Sequence, residues 1–263
     1  MATPKDSLKQ TILVALIMCV VFSIIVSSAA VILKPKQEAN RVLDRNKNVL
    51  GAAGLYKDGM SADEVNTLFA RFDVKLLDIA TAKYLTDEQM KAAGISAATY
   101  DQRAAAKDPA LSKALPAAQD IALIRRQADY ATVYVMRDES GKVDRVVLPI
   151  HGYGLWSTMY GFIAIKGDAN TILGLSFYDQ GETPGLGGEV ENPLWKAKWP
   201  GVKLFDSAGK LIIAVSSREK GPSVIDGLSG ATLTTRGVDH LVKYWMGEYG
   251  FGPYLTRLKA GEE

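Results

Sequence analysis

From Thr11 to Leu33 the chain reads TILVALIMCVVFSIIVSSAAVIL, 23 residues without a charge. A helix of that length, rising 1.5 Å per residue, crosses a hydrocarbon core of about 30 Å. A secretory signal is the competing reading, since Lys5 and Lys9 precede the run and Ser28 to Ala30 supply small residues for cleavage. Signal cores are only about 7–15 residues long, so the run is read as a single transmembrane helix, 11–33, preceded by a short segment 1–10. Lys34, Lys36, Arg41, Arg45 and Lys47 follow it. By the positive-inside count alone they would hold the rest of the chain in the cytoplasm, but that rule weakens before a long folded domain. Charge therefore leaves the side undecided. Cys19 lies inside the run and is the single cysteine, which excludes an intrachain disulfide and any cysteine cluster made by this chain alone.

Beyond the run the pattern changes near Tyr130. After Pro35 a polar stretch, roughly Glu38 to Leu50, is read as a helix leading away from the membrane until Gly51 and Gly54 break it. Ser61-Ala62-Asp63-Glu64 has the capping-box pattern, and Val65, Leu68, Phe69 and Phe72 follow at the spacing of an amphipathic helix. Thr86-Asp87-Glu88-Gln89 repeats the cap, and Lys107 to Arg126 is expected to be helix and loop at the surface. Residues 34–129 are thus expected to form a membrane-proximal helical part, and no function is read there. From Tyr130 the runs YATVYVMR, VDRVVLPI, MYGFIAI, TILGLSFY and KLIIAVSS are β-branched and aromatic. The turns between them are too short for helical crossovers, which predicts an antiparallel sheet. A last helix is expected from about Arg236 to Tyr249, with Val238, Leu241, Val242 and Trp245 on its buried face and His240 off it. The fold class is α+β: one N-terminal transmembrane helix, then an extramembrane domain of antiparallel sheet with flanking helices.

Composition and motifs remove several functions. With 31 basic and 29 acidic side chains the net charge is +2, which offers no field to attract nucleic acid. The two histidines, His151 and His240, have no zinc-binding spacing, so no metal site is expected. There is no phosphate loop of the G-x-x-x-x-G-K-[ST] kind, and Gly185 to Val190 fails G-x-G-x-x-G at its last position. Gly227-Leu228-Ser229-Gly230-Ala231 misses the esterase elbow at its final residue. What remains is Asp226 to Thr235, a small-residue loop leading into the last helix. Its plain reading is a helix start with Thr234 or Thr235 as N-cap. Glycines that allow close approach and free N–H groups at a helix start also suit a phosphorylated ligand.

Asp226-x-x-Ser229-Gly230-Ala231-Thr232 resembles the flavinylation motif of an FMN-binding domain. That domain is shared by the C subunits of sodium-translocating NADH:quinone oxidoreductases and the G subunits of Rnf complexes. The resemblance implies that Thr232 carries FMN covalently through a phosphodiester, installed from FAD by a separate magnesium-dependent flavin transferase. Asp226, Ser229, Gly230, Ala231, Leu233 and Thr234 would surround it. Glu182-Thr183-Pro184-Gly185-Leu186-Gly187 is similar to the E-T-P-G-L-G segment that borders the flavin in the same family. A third block, Gly152-Tyr153-Gly154-Leu155-Trp156-Ser157-Thr158-Met159-Tyr160-Gly161, is similar to the C-subunit strand entering the flavin site. An isoalloxazine needs flat apolar walls, and Leu155, Trp156, Tyr160 and Leu186 are the candidates, with Glu182, Thr183 and Gly187 beside them.

Length and the Gly-Leu-Trp-Ser-Thr-Met string bring the chain nearer the C subunits than the G subunits. The resemblance then implies an electron-transfer subunit of a six-subunit membrane complex that oxidises NADH, reduces ubiquinone and exports sodium. Such a subunit is not catalytic alone. It further implies a single-pass protein of the bacterial inner membrane, with residues 1–10 cytoplasmic and the large domain, including the FMN-binding part 130–263, on the periplasmic side. Its expected partners are the other subunits, membrane lipid and, during maturation, the flavin transferase, with no nucleic acid. Two alternatives stand beside this reading: an Rnf G subunit linking ferredoxin and NAD, and an anchored FMN-binding redox regulator.

Overall fold

The computed structural model describes residues 8–262, so most of the segment 1–10, Lys5 included, lies outside the described residues. The chain divides into two compact units, Met1–Asp44 and Arg45–Glu263. The described part of the first unit is helix α1 (Leu8–Ala52) as far as Asp44. Every residue of the charge-free run is exposed, and α1 is the one helix among the described residues long and apolar enough to cross a membrane. Lipid is the solvent such an all-round apolar surface fits. The polar stretch after Pro35 is helical as expected, and it is part of α1, which continues through Pro35 without interruption.

The second unit begins with the end of α1, where Val49, Leu50 and Ala52 are buried. Gly54 stops the helix: its φ is +71°, its N–H donates to Gly51 O at 3.1 Å, and Leu55 N–H donates to Leu50 O at 2.8 Å. This is a Schellman arrangement, which needs the left-handed residue that glycine supplies most easily. Helix α2 (Ala62–Phe69) follows, and both halves of the Ser61 capping box are formed. Strands β1 (Asp73–Asp78) and β2 (Lys83–Tyr84) come next, then α3 (Asp87–Ala92) with its Thr86 capping box and α4 (Gln102–Ala105). Strands β3 (Ser112–Ala114) and β4 (Arg126–Ala128) pair as an antiparallel ribbon. The stretch 34–129 therefore carries the end of α1 and helices α2 to α4, with strands β1 to β4 among them. The Lys107 to Arg126 segment contains β3 and no helix, and β1 joins the main sheet.

That sheet is completed by β5 (Tyr130–Arg137), β6 (Val143–Tyr153), β7 (Thr158–Lys166) and β8 (Ile172–Asp179), in the order β2-β1-β5-β6-β7-β8. Every neighbouring pair is antiparallel, as the short turns predict. After a 3-10 turn (Gly187–Glu191) come α5 (Pro193–Lys196), β9 (Ala214–Ser216), β10 (Val224–Asp226), α6 (Thr232–Met246) and α7 (Gly252–Ala260). Here the antiparallel expectation fails for KLIIAVSS. Only Ala214–Ser216 is strand, outside the main sheet, and it pairs parallel with β10 because residues 217–223 carry the chain back beside its start.

Alternation along β5 shows why the sheet has two covered faces. Ala131, Val133 and Val135 join Leu148, Ile150, Val238, Leu241 and Trp245 in the core beneath α6. Tyr134 points the other way and meets Phe69 of α2 at 5.6 Å between ring centroids. On that second face Arg145 donates to Ala53 O at 2.7 Å and Ser176 to Asn48 Oδ1 at 2.8 Å, which fastens the end of α1 to β6 and β8. Adjacent β6, β7 and α6 are the elements that position the site.

Candidate functional site

Tyr153 and Thr158 are the last register pair of β6 and β7, so Gly154 to Ser157 form a tight hairpin tip closed by Gly154 N–H to Ser157 O at 2.8 Å. The Thr183-Pro184-Gly185-Leu186 segment is a β-turn closed by Leu186 N–H to Thr183 O at 3.1 Å. Gly185 takes φ +75° at its third position, the demand of a type II turn, and Pro184 occupies the second position, which suits it. Leu186 thereby stands out from the surface with 45% of its area exposed. The third segment is the loop from Asp226 into α6.

Helix α6 starts four residues earlier than the sequence suggests, with Thr232 as its first residue, and it ends at Met246 rather than Tyr249. Ala231 is the N-cap and no side chain caps it. The two threonines expected to cap are drawn inward. Thr235 Oγ1 accepts from Leu228 N–H at 2.9 Å, and Thr234 Oγ1 donates to Glu182 Oε2 at 2.6 Å. The first intrahelical bond runs from Thr235 N–H to Ala231 O, which leaves the N–H groups ahead of it facing outward from the positive end of the helix. Thr232, Leu233, Ser229 and Gly230 are exposed around that end, while Ala231 and Thr234 are buried.

Glu182 joins the three segments. It is 5% exposed, and its carboxylate accepts from the N–H groups of Leu155 (3.1 Å), Trp156 (3.0 Å) and Ser157 (3.3 Å) as well as from the Thr234 hydroxyl. The approach requires glycines. A Cβ on Gly154 would lie 2.5 Å from Glu182 Oε1, and one on Gly187 would lie 2.5 Å from Thr234 Oγ1. A Cβ on Gly237 would lie 2.5 Å from Tyr153 O. Gly230 has φ +71°, and an added Cβ there would stand 3.2 Å from Leu186 Cδ2, which places the type II turn against the Ser229-Gly230-Ala231-Thr232 segment. Leu155, Trp156, Leu186 and Leu233, carried by the three segments, are 38%, 65%, 45% and 51% exposed.

Asp226, at the end of β10, pairs with two lysines. Lys220 bonds to it, Lys198 Nζ lies 3.5 Å away, and the Lys220 hydrogen bond leads the causes that hold its carboxyl below the usual range. Its backbone O accepts from Trp195 Nε1 at 2.8 Å. Thr183 contributes its carbonyl to the turn.

A family model described as an FMN-binding domain matches residues 154–247. The C subunit of the Na(+)-translocating NADH-quinone reductase of Pseudomonas aeruginosa is 48% identical over 98% of each chain. Its namesake from Yersinia pestis is 45% identical over 98% of this chain and 95% of its own. This chain belongs to that C-subunit family. Among solved structures, the crystal structure of Shewanella oneidensis NqrC is 34% identical, covers 86% of this chain and 99% of its own, and superposes with a TM-score of 0.72. The crystal structure of the C subunit from Parabacteroides distasonis, 25% identical, covers 85% of this chain and 97% of its own at a TM-score of 0.64.

Within this member of the C-subunit family the matched span opens at the hairpin tip and closes after α6, so it holds all three segments around Thr232. Their residues fit an FMN: an uncapped helix start for the phosphate, a glycine cradle, and exposed apolar side chains for the ring. Tyr160, expected as a ring wall, is the exception. The Arg103 guanidinium lies 3.6 Å from its ring centroid, and His151 stacks on it at 5.4 Å, so its faces are taken by the protein. Arg103 is held in turn by Asp179 at 2.7 Å. Burial, with Arg103 second, pushes the His151 imidazole down to about 4, so it is neutral at pH 7 and belongs to packing. Sequence reasoning missed Ser157, whose Oγ accepts from Gly181 N–H at 2.6 Å, and it missed the glycines at 154 and 237. Ser157 and Gly154 stand inside the third motif block, but nothing local marks their partners. A groove of 570 Å³ lined by Phe205, Leu211, Tyr244 and Tyr249 lies at the other end of α6 and shares no residue with the cluster around Thr232.

Proposed function

We propose that this chain is the flavin-carrying electron-transfer subunit of a Na(+)-translocating NADH-quinone reductase, with FMN joined to Thr232 by a phosphodiester. The observation that carries the reading is the meeting of three sequence-distant segments at the uncapped start of α6, where Thr232 is exposed. Maturation would join Thr232 Oγ1 to the FMN phosphorus of FAD as the pyrophosphate bond breaks and AMP leaves, with the proton going to the separate flavin transferase. The N–H groups of the first turn would hold the phosphate, while Leu155, Trp156 and Leu186 would fix the ring and exclude water. Bound there, a flavin supplies the accepting and passing of electrons. The full-length likeness to C subunits favours this over an Rnf G subunit. The test is mass spectrometry after expression beside the transferase: the peptide containing Thr232 should gain FMN less one water. An unmodified peptide in a flavin-loaded complex sinks the reading.

Leu186 gives a finer prediction. Core leucines lost to alanine cost about 2–5 kcal/mol, but a side chain 45% exposed removes little surface from water. Leu186→Ala should therefore change apo stability by less than about 1 kcal/mol, leave the Thr232 bond in place, and alter the flavin absorbance envelope. A large loss of stability with an unchanged spectrum would assign Leu186 to packing.

The reading also puts the second unit outside the inner membrane, in contact with the other subunits, against the basic residues that follow the anchor. Protease added to intact spheroplasts should digest that unit. Digestion only after membrane rupture would reverse the topology.

A further inference from the structure

We propose that Glu182 is a positioning residue whose fixed negative charge, clamped between the β6–β7 hairpin tip and the first turn of α6, makes the attached flavin harder to reduce. The inference rests on the reading that FMN hangs from Thr232. Both Glu182 oxygens act only as acceptors, as an ionised carboxylate does: Oε1 takes the N–H groups of Leu155, Trp156 and Ser157, and Oε2 takes the Thr234 hydroxyl. Among the described residues no lysine, arginine or histidine forms an ion pair with it, unlike Asp226 with its two lysines. Dipoles solvate this charge and leave its net value uncancelled.

Its place makes the charge consequential. Thr234 is two residues beyond the flavin-bearing position, Leu155 and Trp156 carry the donating amides, and Leu186 follows Glu182 by one turn. The segments that would wall the ring are the ones that hold the carboxylate or follow it by one turn, so a ring placed there would feel this buried unit charge in surroundings far less polar than water. Each electron added to that ring is repelled. The same hydrogen bonds set the distance, because the hairpin tip and the helix start can separate only by leaving the carboxylate unpaired in a site 5% exposed.

Spectroelectrochemical titration of the full chain, flavinylated beside the transferase, tests this with two variants. Glu182→Gln keeps the shape and removes the charge, and it should raise the reduced-to-oxidised ratio at a fixed potential about tenfold, which is about 59 mV for a one-electron couple. Thr234→Val keeps the charge and removes one dipole that solvates it, so its midpoint should move the opposite way. A purely structural Glu182 would leave the midpoint of both variants unmoved, and that result overturns the proposal. If Glu182→Gln fails to fold, Thr234→Val decides alone: a lower midpoint supports the charge and an unchanged one refutes it. A fluorescent band on denaturing electrophoresis keeps the two readings apart, since its absence from the wild-type chain strikes the Thr232 assignment and not Glu182.

Discussion

Thr232→Ala should yield a folded, anchored protein that carries no covalent flavin. The residue is exposed, and the cap of α6 is Ala231, so the Thr232 hydroxyl does not hold the helix start. Alanine is at least as good a helix former at that place, so the substitution should move stability by no more than about 0.5 kcal/mol. What it removes is the hydroxyl, and the attachment chemistry has no substitute for it. Its neighbours make the contrast. Thr234→Ala would strip a hydroxyl from the buried Glu182, and Thr235→Ala would strip the acceptor from Leu228 N–H, each costing about 1–3 kcal/mol. Denaturing electrophoresis under ultraviolet light, with unfolding curves of the apo proteins, separates the cases. Thr232→Ala should lose the fluorescent band and keep its unfolding midpoint, Thr232→Ser should keep both, and a band persisting in the alanine variant removes Thr232 from the site.

The four runs between Tyr130 and Asp179 were legible because each is β-rich and each is bounded by a turn of a few residues. Such geometry is local, and local chemistry specifies it. Strand β1 was not legible, because DVKLLD mixes three charged side chains with three apolar ones and only Leu76 and Leu77 are buried. Its strand identity comes from pairing with β5, far along the chain, and no window of sequence contains that partner. The start of α6 failed for the same reason. Ser/Thr N-cap logic assumes that the hydroxyl serves its own helix, whereas Thr234 serves a carboxylate 52 residues away. Motif resemblance picked out three blocks that the fold brings together, yet it could not say which of their residues touch. Tyr160 stands in one of those blocks and is clasped by Arg103, from a stretch in which no function was read.

Gly237→Ala should destabilise the second unit even though it improves helix propensity. Alanine in a helix interior is worth about 1 kcal/mol over glycine, so an unobstructed site would gain. Here the added Cβ would stand 2.5 Å from Tyr153 O and 2.9 Å from Gly154 Cα, and both atoms are backbone. Neither can swing aside as a side chain can. The helix cannot easily lift either, since Val238 and Leu241 are fully buried on the same face and Trp245 Nε1 donates to His151 O at 2.7 Å. Overpacking of this kind costs about 1–3 kcal/mol, enough to outweigh the propensity gain. The displacement also has a direction: pushing Tyr153 and Gly154 away from α6 moves the hairpin tip whose amides hold Glu182. Chemical denaturation of the apo variant should therefore show a lower midpoint at an unchanged slope, and the loaded variant should keep its bond to Thr232 while its flavin spectrum shifts. Gly221, exposed and with only an ordinary contact 3.4 Å from Val224, is the control at which alanine should change neither. If Gly237→Ala proved as stable as that control, α6 and the end of β6 would have to be further apart than these contacts place them, and the route from helix start to ring wall through Glu182 would lose its rigid support.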